Sequence, residues 1–118
     1  KNLFIRDKKK NNFLITIEEN QKIDLKALAS MISADRLSFA SPERLLEFLG
    51  VIPGAVSPLA LINDNNLKVN FFIDQNLLKK EKLNFHPLIN TLTITMDTND
   101  FLIFLKNINH SEKYLKFE

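Results

Sequence analysis

Leu49-Gly50-Val51-Ile52-Pro53-Gly54-Ala55-Val56-Ser57-Pro58-Leu59-Ala60-Leu61-Ile62 holds both glycines of the chain and two of its four prolines. A sequence this poor in glycine places it where backbone shape matters, because glycine alone reaches positive φ cheaply and lets another group approach the main chain. Prolines fix φ and remove donors, so Gly54 to Pro58 reads as a stiff loop with a few outward N–H groups. Such a loop can cradle a carbonyl or hold a water. On spacing alone the plainer reading, a tight turn leading into a buried strand, is preferred.

Working outward, Ser41 and Pro42 read as the cap and first residue of a helix that stops at Gly50, the usual proline-in, glycine-out asymmetry. Leu37–Ala40 ahead of it reads as a short strand. Leu3–Ile5 and Phe13–Ile17 are β-rich runs joined by the polar Asp7–Asn12 stretch, which predicts a hairpin. Leu25, Leu28, Ala29 and Ile32 recur at helical spacing behind Asp24 as N-cap. Downstream of the loop, Leu59–Ile62 reads as a strand and Asn63–Asn66 as a turn. Val69–Asp74 is another strand, and the polar Gln75–Lys82 stretch holds at most one helical turn. Leu92, Ile94 and Met96 alternate with Thr91, Thr93 and Thr95, predicting a strand with a hydroxyl face open to either a pocket or solvent. Phe101, Phe104, Leu105 and Ile108 form a last helical stripe capped near Thr98 or Asn99, and Tyr114–Phe117 closes as a strand. Many strands with three short helices and hairpin connections argue α+β rather than a doubly wound parallel sheet.

A chain of 118 residues makes one domain. It contains no cysteine, which removes disulfides, thiol nucleophiles and thiolate metal sites and fits a reducing cytoplasm. Two histidines, His86 and His110, supply no structural zinc set. A net charge of +2 does not announce nucleic acid, so such a partner would be met by a local patch. Lys8–Lys10 and Lys79, Lys80 and Lys82 are the candidate patches, and each is equally a solvated face. The uncharged Phe48–Ile62 stretch is too short and too interrupted to cross a membrane. There is no glycine-rich phosphate loop and no nucleophile elbow, so Ser57 with His86 gives no triad.

Three blocks carry a resemblance. Gly54-Ala55-Val56-Ser57-Pro58, with Phe39–Glu43 and Leu49–Val51 leading into it, resembles the Gly-x-x-x-Pro loop of the YbaK/prolyl-tRNA editing-domain family. Lys1-Asn2-Leu3-Phe4-Ile5 resembles that family's Lys-Asn-Leu-Phe strand. Phe85-His86-Pro87-Leu88-Ile89-Asn90-Thr91 is similar to the Phe-His-Pro-x-x-Asn block of its free-standing Ala-tRNA(Pro) deacylase branch. The blocks run in register from the first residue to about Asp100. The resemblance implies a curved, mixed, barrel-like sheet with short helices packed around it and a pocket at one face. It further implies one editing domain over residues 1–118, begun without the segment that precedes the Lys-Asn strand in relatives.

The activity implied is hydrolysis, in trans, of the ester joining a mischarged alanine to tRNA(Pro), without metal, cofactor or covalent intermediate. Lys1 alone would pass as a solvated charge; the resemblance implies that it holds the terminal nucleotide, while backbone groups at Gly54 position a water or the scissile carbonyl. Asn2, Ala55, Val56, Ser57, Pro58, His86 and Asn90 are the implied substrate-binding residues. His86, by itself a structural histidine, is implied to line the aminoacyl pocket rather than move a proton. His110 reads as a helix-end residue favouring the C-terminal dipole. Val56, Leu59, Ile62 and Phe85 are candidate walls excluding proline, or ordinary core. The implied partners are the tRNA(Pro) acceptor end and prolyl-tRNA synthetase, in the cytoplasm and away from membranes. Three alternatives stay open: a deacylase clearing cysteine or serine, a non-catalytic tRNA- or protein-binding module, and an editing domain cut from a larger synthetase.

Overall fold

The computed structural model describes residues 1–117. Seven strands and three α-helices follow one another as β1 (Asn2–Asp7), β2 (Asn12–Thr16), α1 (Leu25–Met31), β3 (Leu37–Phe39), α2 (Pro42–Leu49), β4 (Val69–Asp74), β5 (Lys82–Phe85), β6 (Ile94–Asp97), α3 (Thr98–Asn107) and β7 (Glu112–Leu115). Two short 3₁₀ segments, Pro58–Asn63 and Leu77–Lys79, flank β4. The main sheet has the order β3-β1-β2-β4-β7, antiparallel among β3, β1 and β2, and parallel from β2 through β4 to β7. β5 and β6 make a separate antiparallel pair. The mixed α+β architecture agrees with expectation, and the sheet is open, with β3 and β7 as its edges.

Alternation along the strands builds two cores. Phe4, Leu14 and Phe71 face a cluster completed by Leu45, Leu49, Phe101 and Leu105, so α2 and α3 cover that side. Ile5, Ile15 and Phe72 face the other way, onto Leu28 and Ile32 of α1. All five residues of β2 are therefore buried, as in a central strand covered on both faces.

The starts of α1 and α2 and the end of α2 are read correctly from sequence. Asp24 accepts from the Lys26 N–H at 3.0 Å, and Ser41 Oγ accepts from the Arg44 N–H at 3.2 Å. Gly50 closes α2 at φ +67°, donating its N–H to the Leu46 carbonyl.

Four expectations are corrected. Leu59–Ile62 is not a strand: Ser57 Oγ accepts the Leu59 N–H at 3.1 Å and Pro58 starts the turn, so the run coils into a 3₁₀ segment. A short apolar run is ambiguous between these forms until capping decides it. The strand expected over Thr91–Met96 begins only at Ile94 and is mostly exposed on both faces, because β6 has only β5 for a neighbour. Asp97 occupies the cap position of α3, and Thr98 instead buries its hydroxyl against the Lys80 carbonyl. The last strand is two residues earlier than expected. β5 itself went unread, although Leu83 and Phe85 are buried between exposed Lys82 and Asn84. His110 follows the end of α3, where its N–H donates to the Leu105 carbonyl, and its ring is buried with Nε2 3.3 Å from Asp64 Oδ2, a carboxylate that also accepts the Lys68 and Val69 N–H groups.

A Cβ at Gly50 would stand 2.9 Å from Asn63 Nδ2, which donates to the Leu49 carbonyl. Gly50→Ala is expected to cost about 1–2 kcal/mol from the left-handed backbone alone, read as a lower urea midpoint with an unchanged slope. Asp7 supplies a pH-dependent prediction. Burial raises its carboxyl, but hydrogen bonds from the Asn11 side chain and backbone, and from the backbones of Asp35 and Lys9, outweigh this and hold the pKa below the usual 3.8. The carboxylate's contribution is then complete above about pH 4 and is lost as the pH falls through the folded-state value. Asp7→Asn should be less stable than the natural chain at pH 7 and lose less stability between pH 5 and 2.

Candidate active site

Three segments meet at one edge of the sheet. The first is the start of β1, where the Lys1 carbonyl accepts the Ile17 N–H at 2.9 Å and so extends the β1–β2 ladder one residue beyond Asn2. The second is the loop between α2 and the 3₁₀ segment. Val51, Ala55 and Ser57 are buried and anchor it, leaving Ile52, Pro53 and Gly54 exposed. Gly54 lies at φ +91°, and the Ala55 N–H closes a turn on the Ile52 carbonyl at 3.1 Å. The third is the end of β5 running into His86.

Between them lies a cavity of about 390 Å³ lined by Lys1, Asn2, Gly54, Val56, Phe85 and His86. Glu19, Asn84 and Thr93 complete its wall. A recess of about 210 Å³ adjoins it across Lys1, Asn2 and Asn84, floored by Ile73, Leu77 and Leu83, with Lys80 and Lys82 among its lining residues.

The polar groups are already oriented. His86 Nδ1 lies 2.9 Å from the Leu92 carbonyl. A carbonyl only accepts, so Nδ1 carries a proton, and in the neutral tautomer this leaves Nε2 as an acceptor. Asn2 Oδ1 accepts from Thr16 Oγ1 at 2.6 Å. Asn84 Oδ1 likewise accepts from Thr95 Oγ1 at 2.6 Å. Both amides therefore have their oxygens engaged and their amino groups available. With Lys1, this makes the cavity richer in donors than in acceptors, suited to a ligand carrying carbonyl, hydroxyl or phosphate oxygens.

Of the nine residues expected at the site, Lys1, Asn2, Gly54, Val56 and His86 share the cavity. Ala55, Ser57 and Pro58 are buried beneath the loop and hold its shape. Asn90 is exposed and leans on the loop, its Nδ2 3.4 Å from the place a Gly54 Cβ would take. Phe85 is a wall, its ring centroid 4.8 Å from that of Phe101 and tilted 36° to it. Leu59 instead packs against the core, and Ile62 is exposed. Lys8–Lys10 lie at the far end of β1 from Lys1, whereas Lys80 and Lys82 border the recess, 3.6 Å from Glu18 and 3.9 Å from Asp97. Glu19 and Asn84 escaped the sequence reading, whereas Thr93, read there on a hydroxyl face open to either a pocket or solvent, lines the cavity. Asn84 was findable only through the alternation of β5; nothing local marks Glu19.

Among the described residues no helix is long and apolar enough to cross a membrane, and no three His, Cys, Asp or Glu side chains stand together as a metal site. The model of the aminoacyl-tRNA editing domain matches residues 1–104. Prolyl-tRNA editing protein ProX of Acetoanaerobium sticklandii is 40% identical over 101 residues, 85% of this chain. The chain spans 62% of that protein's length. Prolyl-tRNA synthetase associated domain-containing protein 1 of Bos taurus is 38% identical over 123 residues, covering all of this chain and 71% of its own. A solved structure described as a proposed trans-editing enzyme for prolyl-tRNA synthetase superposes on the whole chain and 69% of its own, with TM-score 0.73 at 19% identity, a shared fold. With that profile running across the β1 strand, the Gly54 loop and the His86 segment alike, the chain belongs to the aminoacyl-tRNA editing domain family.

Proposed function

We propose that this domain hydrolyses, in trans, the ester of alanine mischarged onto tRNA(Pro), with the cavity between β1, the Gly54 loop and His86 as its active site. The observation that supports this most is the convergence of Lys1, Asn2, Gly54 and His86, drawn from three distant segments, on one cavity. The name of the ProX relative supports prolyl-tRNA as the substrate class, and the name of the bovine relative supports prolyl-tRNA synthetase as a neighbour in the same process. A translation substrate supports the cytoplasm as the place of work.

An aminoacyl ester is intrinsically reactive, so positioning and charge stabilisation suffice. Water adds to the ester carbonyl, the bond to the ribose oxygen breaks, and that oxygen leaves with a proton while the free amino acid departs. Lys1 holds a phosphate or ribose oxygen of the terminal nucleotide as a point charge. The turn at Gly54 offers backbone groups to the water or the carbonyl. His86 Nε2 accepts a hydrogen bond from the amino acid's ammonium or a ribose hydroxyl. The vicinal ribose hydroxyl assists the departing proton. Val56 and Phe85 set the wall that admits alanine and excludes the larger proline ring, compensating for a synthetase pocket in which each methylene is worth only about 1–3 kcal/mol of discrimination.

Deacylation of Ala-, Cys-, Ser- and Pro-tRNA(Pro) in parallel tests the reading. Loss of alanine alone is expected. Loss of cysteine or serine instead keeps the chemistry and overturns the specificity, and binding without hydrolysis of any ester overturns the enzyme. Lys1→Ala should lower kcat/KM by about tenfold or more, as for other charge-assisted contacts. His86→Ala should act mainly on KM. Gly54→Ala, forced into left-handed backbone against Asn90, should lower kcat and also cost about 1–2 kcal/mol of stability.

A further inference from the structure

We propose that Thr16 is a positioning residue of this site, holding the Asn2 carboxamide so that its amino group, and not its oxygen, faces the ligand. The inference deepens the editing reading above and rests on it. Thr16 and Asn2 are directly opposite one another in the antiparallel β1–β2 register. Thr16 is 4% exposed, and its Oγ1 lies 2.6 Å from Asn2 Oδ1. That separation falls inside the usual range for an O–H donor to oxygen, about 2.5–3.0 Å, and short of the range for an N–H donor, about 2.7–3.2 Å. The hydroxyl is therefore the donor and the amide oxygen the acceptor.

A planar amide whose oxygen is turned to Thr16 presents two N–H donors on its other arm. Asn2 borders both the main cavity and the recess, while Thr16 borders the recess only. Thr16 thus stands behind Asn2 and does not line the main cavity. β-Branching restricts the threonine χ1, which makes it a stiff support for the longer Asn2 side chain. The chemical consequence concerns the ester. Its carbonyl and the neighbouring ribose oxygens seek donors, and an inverted amide would set oxygen against oxygen. Without the hydroxyl, the amide is free to rotate between a helpful and a repulsive orientation. A purely structural cross-strand pair would stabilise the hairpin to a similar degree, so stability cannot distinguish the two roles.

Single-turnover deacylation of Ala-tRNA(Pro), together with calorimetric binding of amide-linked alanyl-aminodeoxyadenosine, separates them. Thr16→Val is expected to lose about tenfold in kcat/KM, the effect of one hydrogen bond, and Thr16→Ser to stay within about twofold of the natural chain. Thr16→Val added to Asn2→Ala should cost nothing further, since the two act as a unit. Asn2→Asp, which puts oxygen where nitrogen is needed, should be worse than Asn2→Ala; this comparison carries the test if Thr16→Val fails to fold. A natural chain that hydrolyses alanine while Thr16→Val matches it, losses that multiply in the double variant, or an Asn2→Asp as active as the natural chain each overturn the positioning role alone. A natural chain that neither hydrolyses the ester nor binds the analogue overturns the editing reading and this inference with it.

Discussion

The parallel pairing of β2 with β4 is the constraint on which the rest depends. β2 is buried on both faces, and its register places Leu14 beside Phe71 and Ile15 beside Phe72, so each core receives one phenylalanine from β4. A slip of one residue would turn each side chain of β2 into the opposite core and break the packing of both. The same register has a consequence at the strand end. Asn2, Thr16 and Ile73 fall in one row across β1, β2 and β4, on the face of the sheet that carries Phe4, Leu14 and Phe71. The floor of the recess and the polar edge of the cavity are thus set by core packing some residues away.

The glycine loop follows a different logic. Its apolar residues at Val51 and Ala55 are pulled into the core while Ser57 caps the following turn, so the loop is pinned on both sides of Gly54. What is left exposed is a short stretch of backbone that only glycine adopts without strain. Rigidity in the buried positions and freedom from side chain at the exposed one are both needed if main-chain groups are to serve a ligand. Asn90, brought in from the segment after His86, closes against the same glycine and ties the second wall to the third.

Much of this was legible in the chain because it depends on neighbours in sequence. The caps at Asp24 and Ser41, the stop at Gly50 and the β1–β2 hairpin are local hydrogen-bonding choices, and each residue type states its preference. The misreadings share a cause as well. Leu59–Ile62 and Thr91–Met96 were judged by apolar pattern alone, which is silent on whether a partner strand exists. The first had a serine cap competing for its backbone, and the second had one neighbour only, too little to bury a face. Of the residues to which family resemblance pointed, Lys1, Asn2, Gly54, Val56 and His86 line one cavity, while Ala55, Ser57 and Pro58 are buried in the loop beside it.

By itself the sequence determined the class of the fold, the starts of α1 and α2 and the stop at Gly50, and the kinds of side chain available for chemistry. Those follow from periodicity, capping and composition, all of which act over a few residues. Only the tertiary structure decided which oxygens and nitrogens face the cavity. The tautomer of His86 is dictated by a carbonyl six residues away, and the orientation of Asn2 by a hydroxyl fourteen residues away on the next strand. Hydrogen-bond direction depends on what stands across the gap, and that is settled when the strands pair.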